Sequence, residues 1–212
     1  NNISHTVRIG LIVDAGSGCY KLTALGQAFA NGEISLDDII KRQMLRYSCV
    51  LERGRTDMMF PYRMCLKLFA DHGIDSLSFL EYAFCIYTIQ GSTPEEITQA
   101  AEDIKYLNAV YPNLVSVNMA NRAEILAELN DAFGSSISEQ DVWGSRATTV
   151  RNQFGYLRGH LAFFDDVFVV NGQTLVLKDG GRERIKYLLN LDSGIEGLSE
   201  TEYRKCYNDL KR

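Results

Sequence analysis

The stretch Arg146-Ala147-Thr148-Thr149-Val150-Arg151-Asn152-Gln153-Phe154-Gly155-Tyr156-Leu157-Arg158-Gly159-His160-Leu161, with the runs Val167–Val170 and Thr174–Leu177 after it, decides the fold. Ala147, Val150, Phe154, Leu157 and Leu161 recur at three- and four-residue spacing, which gathers them on one side of an α-helix. The two later runs are rich in β-branched and aliphatic residues and meet across Asn171-Gly172, a dipeptide that tolerates the positive φ of a tight turn. They predict a β-hairpin. Upstream, Ser138–Trp143 predicts a short helix and Gly144-Ser145 a turn. Helix, turn, helix and hairpin in this order make a winged helix, whose second helix can enter a major groove while the hairpin, or wing, lies along the backbone. Winged helices also serve as protein-interaction modules.

The face of 146–161 opposite the apolar stripe carries Arg146, Thr148, Thr149, Arg151, Asn152, Gln153 and Tyr156. These are candidates for reading base edges. Arginine can bind guanine in a bidentate way, asparagine and glutamine can do the same with adenine, and a threonine methyl can touch that of thymine. A solvated polar face has the same composition. Arg158 and His160, at the helix end, are candidate phosphate contacts. So are Lys178, Arg182 and Arg184 after the wing, and Arg46, Arg53 and Arg55 farther upstream, where Gly54 allows close approach.

Towards the N-terminus, Arg8–Val13 and Cys19–Leu22 predict strands around the turn residues 14–18, and Thr23 caps a helix ending at Asn31-Gly32. Everything from 33 to 134 is expected to be helical. Ser35 caps a helix through Leu36, Ile39, Ile40 and Met44, and Phe60-Pro61 opens one with Met64, Leu66 or Cys65, Leu68 and Phe69 inward. Ser78-x-x-Glu81 is a capping box, and Thr93-Pro94-Glu95-Glu96 combines a cap, a first-turn proline and acids suited to the helix dipole. Ala120–Phe133 is amphipathic through Ile125, Leu126, Leu129 and Phe133. Gly181–Leu189 returns to helix, and Ser199-x-x-Glu202 caps a last one.

A short internal repeat links the two ends. The segment 18–26 and the segment 175–181 each hold a strand ending in Leu, a few polar or small residues, a Gly and then a helix. If 175–181 closes a winged helix, 18–26 closes another, so Lys21 joins the candidate phosphate contacts. The chain does not begin with Met, and the recognition helix of that first copy is expected upstream of Asn1. The expected fold is mainly α with small β wings, as tandem winged-helix subdomains, the first truncated, joined by a helical linker. The expected boundaries are 1–32 for the end of the first winged helix, 33–134 for the connector and 135–212 for the second.

The net charge of −5 argues at first against a nucleic-acid partner, so its distribution matters. Residues 41–67 hold seven basic residues against Glu52 and Asp57, and residues 141–191 hold seven against five acids. A basic stripe on an acidic body can still face phosphates. Apolar runs such as Leu11-Ile12-Val13 are too short to span a bilayer, so no membrane partner is expected. The five cysteines form no CxxC pair, and three lie in apolar patterns, as expected of buried thiols in a reducing cytoplasm. Three dispersed histidines predict no zinc site. Trp143 and Phe163-Phe164 are expected to be core residues.

With these elements in order, the chain resembles the DNA-recognition region of AlwI-type type IIS restriction and nicking endonucleases. The resemblance lies in Tyr20–Ala30, in Ile40-Lys41-Arg42-Gln43-Met44-Leu45-Arg46-Tyr47 and in Phe60-Pro61-Tyr62-Arg63-Met64-Cys65-Leu66-Lys67-Leu68. It continues through Leu77–Ala83 and Gly172–Leu177. It implies two winged-helix subdomains on a helical linker, double-stranded DNA as partner, and a separate PD-(D/E)xK nuclease domain or subunit that uses Mg²⁺. A PD-(D/E)xK site needs acids and a lysine on alternate positions of a strand. The nearest matches, Asp103-Ile104-Lys105 and Asp209-Leu210-Lys211, fall in helical patterns, so no catalytic site, metal or cofactor is expected within these residues. The alternatives are a winged-helix transcriptional regulator and a protein-interaction module.

Overall fold

The computed structural model describes all residues except 1–5, 8, 52–57, 88, 90, 112–121, 144–148, 192 and 210–212, and gives the backbone alone for 51, 122, 141, 143, 149 and 206–209. Among the described residues the fold is mainly α-helical with two small antiparallel sheets. It divides into two compact units, one of residues 1–63 with 187–212 and one of residues 64–186. The expected borders at 32/33 and 134/135 therefore fall inside units.

In the first unit, β1 (Ile12–Gly16) and β2 (Cys19–Leu22) form a hairpin. The strand expected over 8–13 starts later and runs to Gly16, because Asp14 Oδ1 accepts the Gly16 N–H at 2.7 Å and a bulge there adds a residue before the turn. Thr23 caps α1 (Ala24–Ala30) by accepting the Gly26 N–H, and Ser35 caps α2 (Leu36–Arg46) by accepting that of Asp38. Leu11, Leu25 and Ile39 form one small core. Val50, Phe60, Ile195 and Tyr203 form another, with the Tyr203 ring edge-on to Phe60. Ser199 and Glu202 exchange cap bonds at the start of α10 (Glu200–Asp209).

The second unit takes in most of α3 (Pro61–Asp71), whose Met64, Cys65, Leu66, Leu68 and Phe69 are all buried. Then come β3 (Ser76–Leu77) and α4 (Phe79–Glu81), which continues as a π-helical turn (Tyr82–Ile86). The capping boxes at Ser78/Glu81 and Thr93/Glu96 are both formed. Next are α5 (Pro94–Val110), α6 (Arg122–Phe133), α7 (Glu139–Trp143) and α8 (Thr149–Leu161). The unit ends with β4 (Phe168–Asn171), β5 (Thr174–Leu177) and the first turns of α9 (Gly181–Leu191).

The strand β3 corrects the all-helical expectation for 33–134. Two residues cannot display an alternating pattern, and they are extended because β5 offers them a ladder. Ser76 pairs with Val176 and Leu77 with Leu175, and the Asp75 carbonyl accepts the Leu177 N–H at 2.8 Å. The sheet order is β3-β5-β4.

The internal repeat is real in three dimensions. Leu11, just before β1, accepts the Thr23 N–H at 3.0 Å, and Val167, just before β4, accepts the Lys178 N–H at 2.8 Å. In each copy a Leu ends the second strand (Leu22, Leu177), and four residues later a glycine packs against both that Leu and the accepting carbonyl (Gly26, Gly181). The bulge in β1 accounts for the extra residue in the first copy.

Candidate nucleic-acid interface

The interface suggested by the sequence is built on α8. Its buried stripe holds Val150, Phe154, Leu157 and Leu161, as the spacing predicts; Ala147 lies outside the described residues. Phe154 anchors the helix. Its ring lies 5.8 Å from that of Phe79 and 5.2 Å from that of Tyr82, so α8 is held against the α4–π segment. The opposite side is open to solvent. Asn152, Gln153 and Tyr156 are exposed, Tyr156 at 58%. The Gln153 amide oxygen lies 3.5 Å from the Tyr82 hydroxyl. Gly155 and Gly159 complete this side, and a Cβ on either would meet nothing within 4 Å. Residues 149–161 contain no carboxylate.

The other members of the base-reading set are placed less openly. Arg146 and Thr148 lie outside the described residues, as does the Thr149 side chain. Arg151 is half-buried and donates to the Val142 carbonyl, which ties α8 to α7.

The expected phosphate contacts divide by the kind of partner they have. Arg158 Nη1 donates to the Gly172 carbonyl at 2.5 Å, and Lys178 Nζ donates to that of Asp165 at 2.7 Å. A neutral carbonyl leaves the cation its full charge. Arg184 instead pairs with Asp166 at 2.8 Å, and Arg182 pairs with Asp75 at 2.5 Å while donating to the Phe69 carbonyl. Their fields are largely cancelled at a distance. His160, half-buried, stacks on Tyr156 with centroids 6.4 Å apart.

Among the described residues of 41–67, two of the basic side chains are buried. Arg46 is only 8% exposed, so a phosphate cannot reach it, which corrects its expected role. Arg63 is 2% exposed; its Nε lies 3.0 Å from a Glu196 carboxylate oxygen and its Nη2 donates to the Leu189 carbonyl at 2.9 Å. Burial of a guanidinium requires such partners. Lys41 pairs with Asp37 at 2.8 Å. Arg53 and Arg55 lie outside the described residues. Lys21 is exposed on β2, opposite Val13.

The turn of the β4–β5 hairpin also differs by one position. Asn171 pairs with Thr174, so the two-residue loop is Gly172-Gln173, and the positive φ of +57° falls on Gly172. Glycine takes that conformation most readily, and its place as the first loop residue moves Asn171 into the strand. Phe164 is core, whereas Phe163 is exposed and the Trp143 side chain lies outside those described. No helix among the described residues is long and apolar enough to cross a membrane. Asp103 and Lys105 flank buried Ile104 on helix α5, not on a strand.

These features define the class as mainly α with small antiparallel sheets. Among solved structures the chain is similar to the BpuJ1 endonuclease binding domain in complex with pyrene- and phenanthrene-modified DNA. The identity is 12% and the TM-score 0.47, over 96% of this chain and 72% of that one. No family model and no curated protein matches the chain.

Proposed function

We propose that residues 64–186 form a winged helix that recognises double-stranded DNA by sequence, with α8 as its reading helix. One observation carries this reading. The strand that follows α3 pairs with β5, the second strand of the wing, in the order β3-β5-β4, and the helix directly before the wing turns an acid-free polar side to solvent. A winged helix uses that order of elements, with helices α5 to α7 here inserted before the reading helix.

In this reading Asn152 and Gln153 offer amides that can bind adenine through N6 and N7, and Tyr156 extends the contact. Arg146, Thr148 and Thr149 precede them in the sequence and belong to the same set. Gly155 and Gly159 let the helix approach closely, since nothing projects from them. Arg158 and Lys178, held by carbonyls, supply positive potential beside the wing. Arg184, an exposed pair with Asp166, can exchange that carboxylate for a phosphate at little cost. Lys21 on the first hairpin belongs to the repeated module and is given the same role. Cleavage chemistry, with its Mg²⁺, would reside in a separate nuclease domain or subunit that this module positions.

The test is fluorescence anisotropy with a random-sequence duplex and with a duplex enriched by selection from a random library. The protein should bind both, with affinity falling steeply as salt rises, and should prefer the enriched one. Asn152→Ala with Gln153→Ala should abolish most of that preference while keeping the salt dependence. Absence of salt-dependent duplex binding sinks the proposal and favours a protein-interaction module, to which exposed Val169, Val170 and Phe163 would then contribute.

A further inference from the structure

We infer that Arg158 is a positioning residue that locks the tip of the wing to the reading helix, so that the two meet DNA as one rigid surface; this rests on the winged-helix reading above. The hairpin is supported at its base, where β3 pairs with Leu175 and Val176 and the Val167 carbonyl accepts the Lys178 N–H. The tip lies beyond that support. The loop residue Gly172 follows the last residue of β4, and its carbonyl points out of the ladder towards α8, where Arg158 Nη1 donates to it at 2.5 Å. The guanidinium has a second contact on its own helix, its carbon lying 5.9 Å from the centroid of the Phe154 ring, within cation–π reach. That ring is itself fixed by Phe79 and Tyr82. A chain of contacts thus runs from the α4–π segment through Phe154 and Arg158 to the wing tip. Exposed Asn171 and Gln173 flank the clamped residue, on the same rigid frame as Asn152 and Tyr156.

The geometry suits arginine and not lysine. A planar guanidinium can lie over a ring edge and direct an N–H along its plane, whereas an ammonium is a point charge on a flexible stem. A residue that only neutralised a phosphate would accept either.

Arg158→Lys separates the two roles, because it keeps the charge. Random-duplex affinity is measured alongside, and the readout is the ratio of selected- to random-duplex affinity, which cancels any loss of phosphate contact common to both duplexes. Preference for the selected duplex should fall at least fivefold, and amide hydrogen exchange across 169–175 in the free protein should speed up about tenfold. Wild-type preference, or unchanged exchange, in the lysine variant overturns the inference. Failure of the wild-type protein to bind either duplex is a different result and overturns the reading of the preceding section.

Discussion

Gly26 and Gly181 occupy equivalent places in two hairpin–helix modules of one chain. A Cβ on Gly26 would lie 2.0 Å from the carbonyl oxygen of Leu11, and one on Gly181 would lie 2.8 Å from that of Val167. Each would also crowd the Leu that ends the second strand, Leu22 at 3.1 Å or Leu177 at 2.9 Å. The shared requirement is a helix that leaves a hairpin so closely that its first turns touch the residue before the first strand. Neither glycine has positive φ among the described residues, so the constraint is space rather than backbone conformation.

Replacement of either glycine by Ala should therefore destabilise its unit. The obstructing atom is backbone in both cases and cannot rotate away, and overpacking of this kind costs about 1–3 kcal/mol. Gly26→Ala should be the worse, because its clash is the closer and the Leu11 carbonyl already accepts from Thr23. Urea unfolding midpoints check this. A midpoint equal to that of the wild type would mean that the helix is not held so near the hairpin.

Gly155 and Gly159 predict the opposite sign. Both lie within α8 with open space where a Cβ would be, so alanine should stabilise the helix by up to about 1 kcal/mol per site. The added methyls stand on the side proposed to meet base edges and should weaken duplex binding. A Gly155→Ala, Gly159→Ala variant that gains stability and keeps full affinity removes that side of the helix from the contact.

How much of this could be seen in the sequence depends on whether the cause was local. The caps at Thr23, Ser35, Ser78, Thr93 and Ser199 each involve residues within one turn, and all were legible. So was the buried stripe of α8, since its spacing is a property of the helix alone. The strand Ser76–Leu77 was not, because β5 lies about a hundred residues away and two residues carry no period. The burial of Arg63 was not legible either, because it depends on Glu196 and the Leu189 carbonyl, supplied from the far end of the chain. The bond from Arg158 to the Gly172 carbonyl joins neighbouring elements, but it too depends on how α8 and the hairpin fold against each other, which no local period records.

A long-range relationship of this kind makes a stability prediction at Tyr203. Its buried hydroxyl donates to the Arg46 carbonyl at 2.6 Å and accepts the Ser48 N–H at 3.0 Å, joining α10 to the segment after α2. Tyr203→Phe preserves the edge-on packing against Phe60 and removes both bonds. Two buried backbone groups lose a partner, for a cost of about 1–3 kcal/mol or more. Thermal unfolding should show the loss, and unchanged stability would mean that water replaces the hydroxyl.

The cysteines give a prediction in which the sign can be worked out. Cys49, Cys65 and Cys85 are buried and Cys19 is exposed. Burial pushes the Cys65 thiol from 9.0 up to about 12, and burial together with the carboxylates of Asp103 and Glu81 pushes Cys85 up as well. Iodoacetamide at pH 8 should therefore modify Cys19 in a Cys206→Ser variant and spare the other three until denaturant is added, as mass spectrometry of the peptides would show. Because the folded state disfavours the thiolate, this contribution to stability is complete below the unfolded value near 9 and is lost as pH rises towards the folded value of Cys65 near 12. Stability should thus fall between pH 9 and 11, and Cys65→Val, which cannot ionise, should make that fall shallower. An equally steep fall in the valine variant would place the titration elsewhere, and rapid native alkylation of Cys65 would mean that α3 opens on the timescale of the reaction.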